Sequence, residues 1–495
     1  MEKAKGFDRR GFLKGLSAAA VAAGAVGSSA SASDKQFWNK FQKHCPSREV
    51  DFGLPVTRDK ENVEFIGWND LQGRSTLQVT AKGDWLFVGH HHNTMTNQGP
   101  LYNPLTGKYE WNGTTILDIH DPCHPKLVAH IDNPEDTNCR SVQVVYNFGG
   151  KDYLVRNHEP SGLPDKSAEI FDITNRSKPA KVSEITVGRN GKKLGFLHKG
   201  WWSQESGLYY FAAREQGVGN GAYLMIYDLK VPESPVFVSD FMLPHQEEPG
   251  NTLTWHHPIV DEENKRVYGA YLEGGDVIAL DISVIKSPTL LWHIDTDPPY
   301  RGTHTVCPIF YDEVPNFTPG ASSLPRAYAL VCNEGTDNQC SDPIRAKAFV
   351  FDITDAEKTG VPFPMAVWQV PDDDFCTKGA RFGPHQFAET VDGHINRFED
   401  KIAYFAYFNA GMRVVDISNP YLPREVGHFT PLYNKGSVPI RAGQPLAIQG
   451  NDVDIDYRGL LYMSDRVGAG LFVLKYTGED EGHGDHDEKR GDHDW

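Results

Sequence analysis

The sequence contains no run of apolar residues long enough to cross a membrane. The longest, an Ala-rich segment from Ala18 to Val26, is shorter than the roughly 20 residues that a spanning helix requires. Positive charge is also scarce: the formal net charge is -17, and no Lys/Arg-rich tract follows the N-terminus. An acidic protein repels a phosphate backbone and an anionic bilayer. We therefore expect neither nucleic acid as a partner nor stable membrane insertion.

The signatures of several common enzyme classes are missing as well. The chain has no Ser nucleophile elbow, P-loop or dinucleotide fingerprint. No helical pattern separates the apolar strands, which excludes a TIM barrel or a doubly wound sheet. Cysteine is sparse, and because the seven residues are an odd number, at least one thiol is unpaired. Cys332 and Cys340 are close enough in sequence to close a short loop, although spacing alone does not establish a bridge.

The first 33 residues have the features of an export signal. Arg9 and Arg10 belong to a twin-arginine pattern, the weakly apolar run follows, and Ala30-Ser31-Ala32 supplies a cleavage site. An N-terminal membrane helix is disfavoured because that run is too short. We predict export in folded form to the periplasm, with residues 1–33 as the signal peptide and residues 34–61 as an N-terminal extension.

Turn residues are abundant, with 47 Gly and 32 Pro, and a strand motif recurs between the turns. An apolar residue, Asp, and Ile or Leu appear together six times, each time on the third of four predicted strands. A period of roughly 50 residues or more is typical of a propeller or a solenoid. A Pro-containing turn follows the motif in each repeat. The six acidic residues are Asp118, Asp172, Asp228, Asp281, Asp352 and Asp416.

A seventh repeat stops after its third strand, near Tyr476, and has lost the Asp. The segment from Val63 to Gly67, which precedes the first full repeat, has the pattern of a fourth strand. We predict that this segment completes the seventh blade and closes the ring, which removes an exposed sheet edge. The predicted fold is all-β, a seven-bladed β-propeller of four-stranded antiparallel blades over residues 62–476. A disordered His/Asp-rich tail is predicted over residues 477–495.

One repeat resembles the consensus of a known family. The segment from Gly411 to Pro420 reads Gly-Met-Arg-Val-Val-Asp-Ile-Ser-Asn-Pro, which is similar to the LVIVD repeat, a strand ending in a Val-Asp-Ile-type sequence followed by Ser-x-Pro. The resemblance extends over nearly all of residues 62–476 and implies the propeller. It implies no reaction, because one fold supports many activities.

Histidine and glutamate recur at two positions of the repeat that face the same side of a propeller. Alignment of the repeats predicts four His residues at the start of the innermost strand, and further His and Glu residues after the second strand. Neutral imidazoles with carboxylates nearby form a good site for Zn, Cu, Fe or Ni. The predicted metal ligands are His91, His158, His198, His257, His304 and His385. The groups predicted to orient ligands or relay protons are Glu159, Glu215, Glu273 and Glu334.

This arrangement resembles three periplasmic copper-dependent propellers: nitrous oxide reductase, thiocyanate dehydrogenase and the methanethiol oxidase (selenium-binding protein) family. The likeness lies in an early His pair, His90-His91, and in single His residues from later blades. The chain lacks the second copper domain of nitrous oxide reductase. The resemblance implies a periplasmic metal-dependent oxidoreductase, with copper the preferred metal, a small inorganic or sulfur-containing substrate, and a periplasmic electron acceptor.

Two other functions fit the same residues. A non-catalytic propeller can hold a protein or a small ligand at this face, with Arg140, Arg214, Arg301 and Arg381 as clamps for carboxylate or sulfate. A metal-independent hydrolase or lyase can use a His/Glu pair for acid-base chemistry. Metal content of the exported protein distinguishes the first prediction from these two.

Overall fold

The structure is a computed structural model that describes residues 59–92, 98–160, 165–296, 302–312, 314, 325–336, 340, 345–372, 374–441 and 443–478. All of these residues belong to one compact unit, residues 48–495. The predicted signal peptide, most of the predicted extension, Arg301 and residues 479–495 of the predicted tail lie outside them. No helix in the described ranges has the length and apolar character needed to cross a membrane.

Two short strands, β1 (Asp59–Glu61) and β2 (Val63–Asn69), precede the blades. The first blade contains β3 (Thr76–Lys82), β4 (Trp85–His90), β7 (Thr114–Asp118) and β8 (Lys126–Ile131), with a hairpin of β5 (Leu101–Asn103) and β6 (Lys108–Glu110) after β4. The second contains β10 (Val142–Phe148), β11 (Lys151–Pro160), β12 (Ser167–Asp172) and β13 (Ala180–Ile185), with β9 (Thr137–Asn138) paired to β11. The third contains β14 (Leu194–Trp202), β15 (Leu208–Glu215), β16 (Tyr223–Asp228) and β17 (Val236–Phe241).

The fourth blade contains β18 (Thr254–Asp261), β19 (Arg266–Glu273), β20 (Asp276–Asp281) and β21 (Thr289–Asp295). The fifth contains β22 (Thr303–Tyr311), β23 (Arg326–Asn333), β24 (Ala348–Asp352) and β25 (Phe363–Trp368). The sixth contains β26 (Gln386–Phe387), β29 (Ile402–Ala406), β30 (Met412–Asp416) and β31 (Arg424–Thr430). The seventh contains β32 (Gly450–Ile455), β33 (Leu461–Asp465), β34 (Leu471–Tyr476) and β2, and a hairpin of β27 (Thr390–Val391) and β28 (His394–Ile395) pairs with β32.

The first strand of every blade contacts the first strands of both neighbouring blades. These contacts run from β3 through β10, β14, β18, β22, β26 and β32 and return to β3. Each blade is a four-stranded antiparallel meander, and helix is confined among the described residues to short turns such as Ala356–Thr359 and Phe375–Lys378. The predicted seven-bladed β-propeller is therefore confirmed, with the first strands surrounding the axis.

The repeated Asp has the same structural role in six blades. In each, its Oδ1 atom accepts a hydrogen bond from the backbone N–H two residues later, over 2.7–3.0 Å. Such a side-chain turn begins the connection between the third and fourth strands. The motif thus encodes the outer hairpin of the blade and contributes no chemistry at the axis.

The ring closes as predicted, by pairing of the N-terminal strand β2 with the last strand β34. Val63 lies opposite Tyr476 in antiparallel register. Strand β1, which falls at the end of the predicted extension, pairs instead with β31 of the sixth blade, where Asp59 lies opposite Thr430. The N-terminal segment therefore adds one strand to each of two neighbouring blades.

The disulfide formed by Cys340 is not the one that the sequence suggested. Cys340 forms a disulfide with Cys376. Cys332 is a buried free thiol within β23, with its Sγ atom 3.6 Å from the His385 carbonyl oxygen. A bridge between Cys332 and Cys340 is therefore wrong, because the strand directs the first thiol into the interior.

Candidate functional site

Four imidazoles lie in contact at one end of the axis. They come from four consecutive blades, the third to the sixth, and the ring centroids are 4.0 Å apart for His198 and His256, 3.9 Å for His256 and His304, and 4.3 Å for His304 and His385. All four side chains are buried. We call this group the His arc.

A β-bulge places these residues toward the axis. Near the ends of the first strands, the pairing register skips one residue, which is His256 in β18, His304 in β22, Leu77 in β3 and Asn451 in β32. A bulged residue is left unpaired and its side chain is re-aimed. The bulge therefore recurs in several blades and supplies two members of the His arc, His256 and His304, together with Leu77 and Asn451.

The bulge also explains a one-residue difference from the sequence alignment, which placed His257 with His198, His304 and His385. In the structure His256 occupies the arc, and His257 lies behind it, with its Nε2 atom 3.1 Å from Glu389 Oε1. An alignment that counts residues from the second strand cannot detect the extra residue of a bulge. His257 is buried but is not part of the arc.

Burial keeps the four imidazoles of the His arc neutral. It lowers the pKa of each well below the usual value, and nearby imidazoles and cationic side chains lower it further. The tautomer of His385 follows from its partners: Nδ1 donates to the Asn451 carbonyl oxygen, and Nε2 accepts from Arg466 Nη2 over 3.0 Å. Neutral imidazoles are the form that ligates metals.

Several nitrogen atoms of the His arc are arranged as metal ligands would be. The Nε2 atoms of His198 and His256 point at each other in a short contact, and the buried His304 Nε2 has no hydrogen-bond partner within the described part of the chain. One ligand atom each of His256, His304 and Glu334 lies within 4.8 Å of the others. Two imidazoles and a carboxylate are a donor set that suits a transition metal. The residues present therefore fit a metal ion.

The His arc lines a cavity of about 280 Å³, which we call the ring cavity. Five cationic side chains and one carboxylate line it together with the imidazoles. The described lining residues are Leu77, His91, Arg140, His198, Lys199, His256, Leu272, His304, Glu334, Thr336, Arg381, His385, Arg441, Asn451 and Arg466.

His91 enters the ring cavity from the first blade, as the sequence predicted. Its Nδ1 atom and the His92 backbone N–H both donate to Asn138 Oδ1, each over 3.1 Å. The Nε2 atom therefore carries the lone pair, and among the described residues it has no hydrogen-bond partner although it is buried. Burial also lowers the pKa of His91 well below its usual value. His91 is thus a fifth neutral imidazole at this face.

The cations of the ring cavity are only partly neutralised by carboxylates. Arg381 Nη1 donates to Glu334 Oε1 over 2.6 Å. Arg140 Nε lies 2.9 Å from Glu159 Oε2, but without the alignment of a hydrogen bond. Arg381 and Arg466 also lie over the ring of Phe408, at 5.4 Å and 5.2 Å from its centroid. An aromatic face attracts a guanidinium without cancelling its charge.

Arg466 is the most deeply buried arginine of the group, with 5% of its surface exposed. Its Nε atom donates to Asn451 Oδ1, and its nearest carboxylate oxygen, Glu334 Oε1, is 3.9 Å from Nη2. Burial, with repulsion from Arg381, lowers the pKa of Arg466 to about 9. Glu334 opposes this shift but does not offset burial.

Two predicted histidines lie outside the ring cavity. His158 is half-buried on β11, where the charged groups that act on it are Glu169, Arg156, Lys181 and Glu184. Strand β11 continues through residue 160, so the segment predicted to connect the second and third strands is part of the strand itself. Alternate side chains of a strand point to opposite faces. Its neighbour Asn157 accordingly points toward the arc and donates to the His198 carbonyl oxygen.

Three of the four predicted glutamates do not line the cavity. Glu159 is buried one layer behind it, against Arg140, and burial raises its pKa. Glu215 accepts two hydrogen bonds from Asn190, one from the backbone N–H over 2.8 Å and one from Nδ2 over 2.7 Å. Glu273 is exposed at the end of β19. Only Glu334 is placed where a predicted ligand or proton relay must lie.

A second group of ionisable residues, not predicted from the sequence, lies further along the axis. Glu389, Asp452 and Asp454 are buried around a closed cavity of about 10 Å³. Burial raises the pKa of all three, that of Asp452 to about 6. Asp452 accepts from the Val79 N–H over 2.9 Å, and Asp454 from the Ala81 N–H over 2.7 Å. We call these three residues the axial acid cluster.

Lys199 lies between the two groups. It is 3% exposed, lines the ring cavity and donates to Gln386 Oε1 over 3.0 Å. Its charge also acts on Glu389 and Asp452, where it opposes the effect of burial on their pKa. The pattern Asp452-x-Asp454 within an otherwise apolar strand is the signal that was available in the sequence, because alternate residues of a first strand face the axis.

Comparison with known proteins bears on the fold. The LVIVD repeat is matched at residues 109–133 and 400–430. No curated protein matches the chain. A hypothetical selenium-binding protein from Sulfolobus tokodaii is similar at 12% identity, with 80% of this chain and 84% of that chain covered and a TM-score of 0.48. The Swd1 β-propeller domain from Myceliophteria thermophila is similar at 10% identity, with 84% and 100% covered and a TM-score of 0.46.

The matched segments contain the last two strands of the first blade and the last three of the sixth. Both contain the Asp turn that recurs through the propeller, at Asp118 and Asp416. The chain is therefore a seven-bladed β-propeller that carries LVIVD repeats in its first and sixth blades.

Proposed function

We propose that the His arc holds a transition metal, with copper preferred, and that the protein is an exported metal-dependent oxidoreductase acting on a small molecule in the ring cavity. The observation that carries the proposal is the convergence of His198, His256, His304 and Glu334 at the end of the axis. Their ligand atoms face one another, and several of their buried nitrogen atoms have no hydrogen-bond partner among the described residues.

The ligands in this proposal are His256, His304 and Glu334, with His198 completing the set. His91 brings a further unprotonated Nε2 to the same cavity from the opposite side of the ring. His385 serves differently, because its Nε2 atom accepts from Arg466. It positions that guanidinium and fixes the neighbouring His304 ring by contact. Copper bound by imidazoles supplies one-electron redox chemistry.

The protein contributes binding and positioning around that centre. The buried imidazoles stay neutral because of burial, so they remain available as ligands near neutral pH. Arg381 holds Glu334 through a hydrogen bond of 2.6 Å and fixes the orientation of the carboxylate. Such supporting contacts commonly change metal affinity by roughly 10–100-fold when removed.

The test is metal content of the exported protein, measured by mass spectrometry after deletion of residues 479–495, so that His483, His486 and His493 cannot contribute. We expect about one equivalent of copper in the parent. His256→Ala should lose it, and His257→Ala, the adjacent histidine outside the arc, should keep it. His158→Ala is a second control. Metal retained by His256→Ala, or a parent without metal, would exclude the proposal and favour a binding propeller.

We propose the periplasm as the location, on the strength of the twin-arginine pattern at Arg9 and Arg10. The double variant Arg9→Lys, Arg10→Lys should accumulate in the cytoplasm, because the exporter recognises that pair. Fractionation followed by immunoblotting measures the distribution. Normal periplasmic accumulation of the double variant would exclude this route.

A further inference from the structure

The charge of the ring cavity is opposite to that of the protein. The chain carries a formal net charge of -17, yet among the described residues that line the cavity there are five cations, Arg140, Lys199, Arg381, Arg441 and Arg466, and one carboxylate, Glu334. A cleft lined by one sign of charge concentrates the opposite ion.

The cations converge from several blades and are held in place. Arg381 and Arg466 flank Phe408, whose backbone has a φ of 35°, a left-handed conformation that a bulky residue adopts only under constraint. Arg466 is further fixed by Asn451 and His385. Two guanidinium groups anchored on one aromatic ring form a preorganised pair of donors, the arrangement that recognises planar or tetrahedral anions.

Two of the five cations have carboxylates outside the cavity, since Arg140 Nε lies 2.9 Å from Glu159 Oε2 and Lys199 acts on Glu389 and Asp452. Arg466 differs, because its one ion-pair contact among the described residues is Glu334 Oε1 at 3.9 Å, an atom that already accepts from Arg381. An unpaired buried cation costs free energy, and an acidic protein has many carboxylates with which to neutralise it. The positive charge beside Arg381 and Arg466 is therefore left for a ligand to neutralise.

We infer that the ring cavity binds a small anion, a carboxylate or an inorganic oxyanion, between Arg381, Arg466 and the His arc. The claim that this anion is the substrate rests on the proposed function. The claim that the cavity binds an anion does not depend on a bound metal. The volume of about 280 Å³ is ample for an anion of this size.

The test uses the full-length protein, prepared without metal and again loaded with copper, and isothermal titration calorimetry at constant ionic strength. The probes are two pairs of similar shape: sodium sulfate with dimethyl sulfone, and sodium acetate with acetamide. We expect each anion to bind at least about tenfold more tightly than its neutral counterpart, because only the anion makes charge-assisted hydrogen bonds with the guanidinium groups.

The variants separate this site from general electrostatics. Arg466→Gln and Arg381→Gln should weaken anion binding by about 10–100-fold. Arg424→Gln, which removes an exposed guanidinium on β31, is the control and should change affinity less than about twofold. Where Arg466→Gln fails to fold by circular dichroism, the exposed Arg441→Gln replaces it, with an expected weakening of about threefold.

The outcomes distinguish the inference from the proposed function. Anion binding in both preparations, lost in the cavity variants, supports the inference. Anion binding by a protein that takes up no copper retains the site and removes the proposed function. Copper uptake with equal binding of anions and neutral counterparts, or unchanged affinity in Arg381→Gln and Arg466→Gln, overturns the inference alone.

Discussion

Two regions of the buried axis contain ionisable groups of opposite type. The ring cavity is lined mainly by cationic side chains, and the axial acid cluster contains three carboxyl groups. In the ring cavity, five cations face one carboxylate around an open volume of about 280 Å³. In the axial acid cluster, three carboxyl groups surround about 10 Å³ and use backbone N–H donors, Thr390 and raised pKa values to avoid a net charge. Asp452 and Asp454 are held by hydrogen bonds within the protein, whereas the ring cavity is left for a ligand to neutralise.

Removal of the cation between the two groups should have the largest effect. Lys199→Met leaves Glu389 and Asp452 without their nearest positive charge, so we expect the free energy of unfolding to fall by about 3–5 kcal/mol at pH 8. Urea unfolding of the metal-free protein measures it. The loss should shrink at pH 5, where the carboxyl groups are protonated. An equal loss at both pH values would mean that Lys199 acts through packing and not through charge.

The acid cluster should also give stability a distinctive pH dependence. The pKa of Asp452 is raised to about 6 in the folded protein by burial, so the folded state holds this proton more tightly than the unfolded state does. Its contribution is present at low pH and is lost as the pH rises through about 6. The surrounding groups are Lys199, Glu389 and Asp454.

The matching variant is Asp452→Asn. It carries a constant cost from the changed hydrogen bonds, but it should not show the pH-dependent loss, which is on the order of 2 kcal/mol between pH 4 and 7. The difference in unfolding free energy between the two proteins, followed across that range, measures the effect. Parallel curves would show that Asp452 titrates normally.

At the other end of the axis, loss of a cation should cost little. Arg466→Gln gives up hydrogen bonds to Asn451 and His385 but relieves repulsion from Arg381, so we expect a change within about 1 kcal/mol in the metal-free protein. Urea unfolding beside Lys199→Met makes the comparison direct. A loss as large as that of Lys199→Met would show that the charge of Arg466 is already compensated.

The smallest expected effect is a difference in salt dependence between the ring cavity and the axial acid cluster. Between about 0.05 and 0.5 M sodium chloride, the destabilisation by Lys199→Met should vary by less than about 0.5 kcal/mol, because buried charges are weakly screened. Sulfate affinity of the ring cavity should fall over the same range. Chemical denaturation with urea and calorimetry measure the two quantities. Strong salt dependence of the Lys199 effect would place that side chain in contact with solvent.

The fold was predictable because its signal is local and repeated. The Asp of each repeat makes the same turn with a backbone N–H two residues away, so its spacing reports the blades directly. The pairing of β2 with β34 followed from an incomplete last repeat. Both features depend on short-range pattern, which a single sequence carries.

The site was less predictable because it depends on which way individual side chains point. Because of a bulge, His256 and not the predicted His257 belongs to the His arc. The alternation of side chains along β11 places His158 away from the axis. Lys199, Arg466 and Glu389 lie on different blades and meet only after the ring closes, so no spacing relates them. The alternating carboxylates of β32 were the one visible sign of the axial acid cluster.

The pairing of the N-terminal strands β1 and β2 with the last two blades means that the ring can close only after the C-terminal part of the chain has been synthesised. Strands β1 and β2 pair with the outer strand of the sixth blade and the third strand of the seventh, and Asn62 between them donates to the Val426 carbonyl oxygen over 2.8 Å. Contacts between segments so distant in sequence form late and slowly. A nascent chain that has not reached Leu471 therefore has no partner for β2. A chain that ends before Leu471 consequently keeps the edge of β2 unpaired.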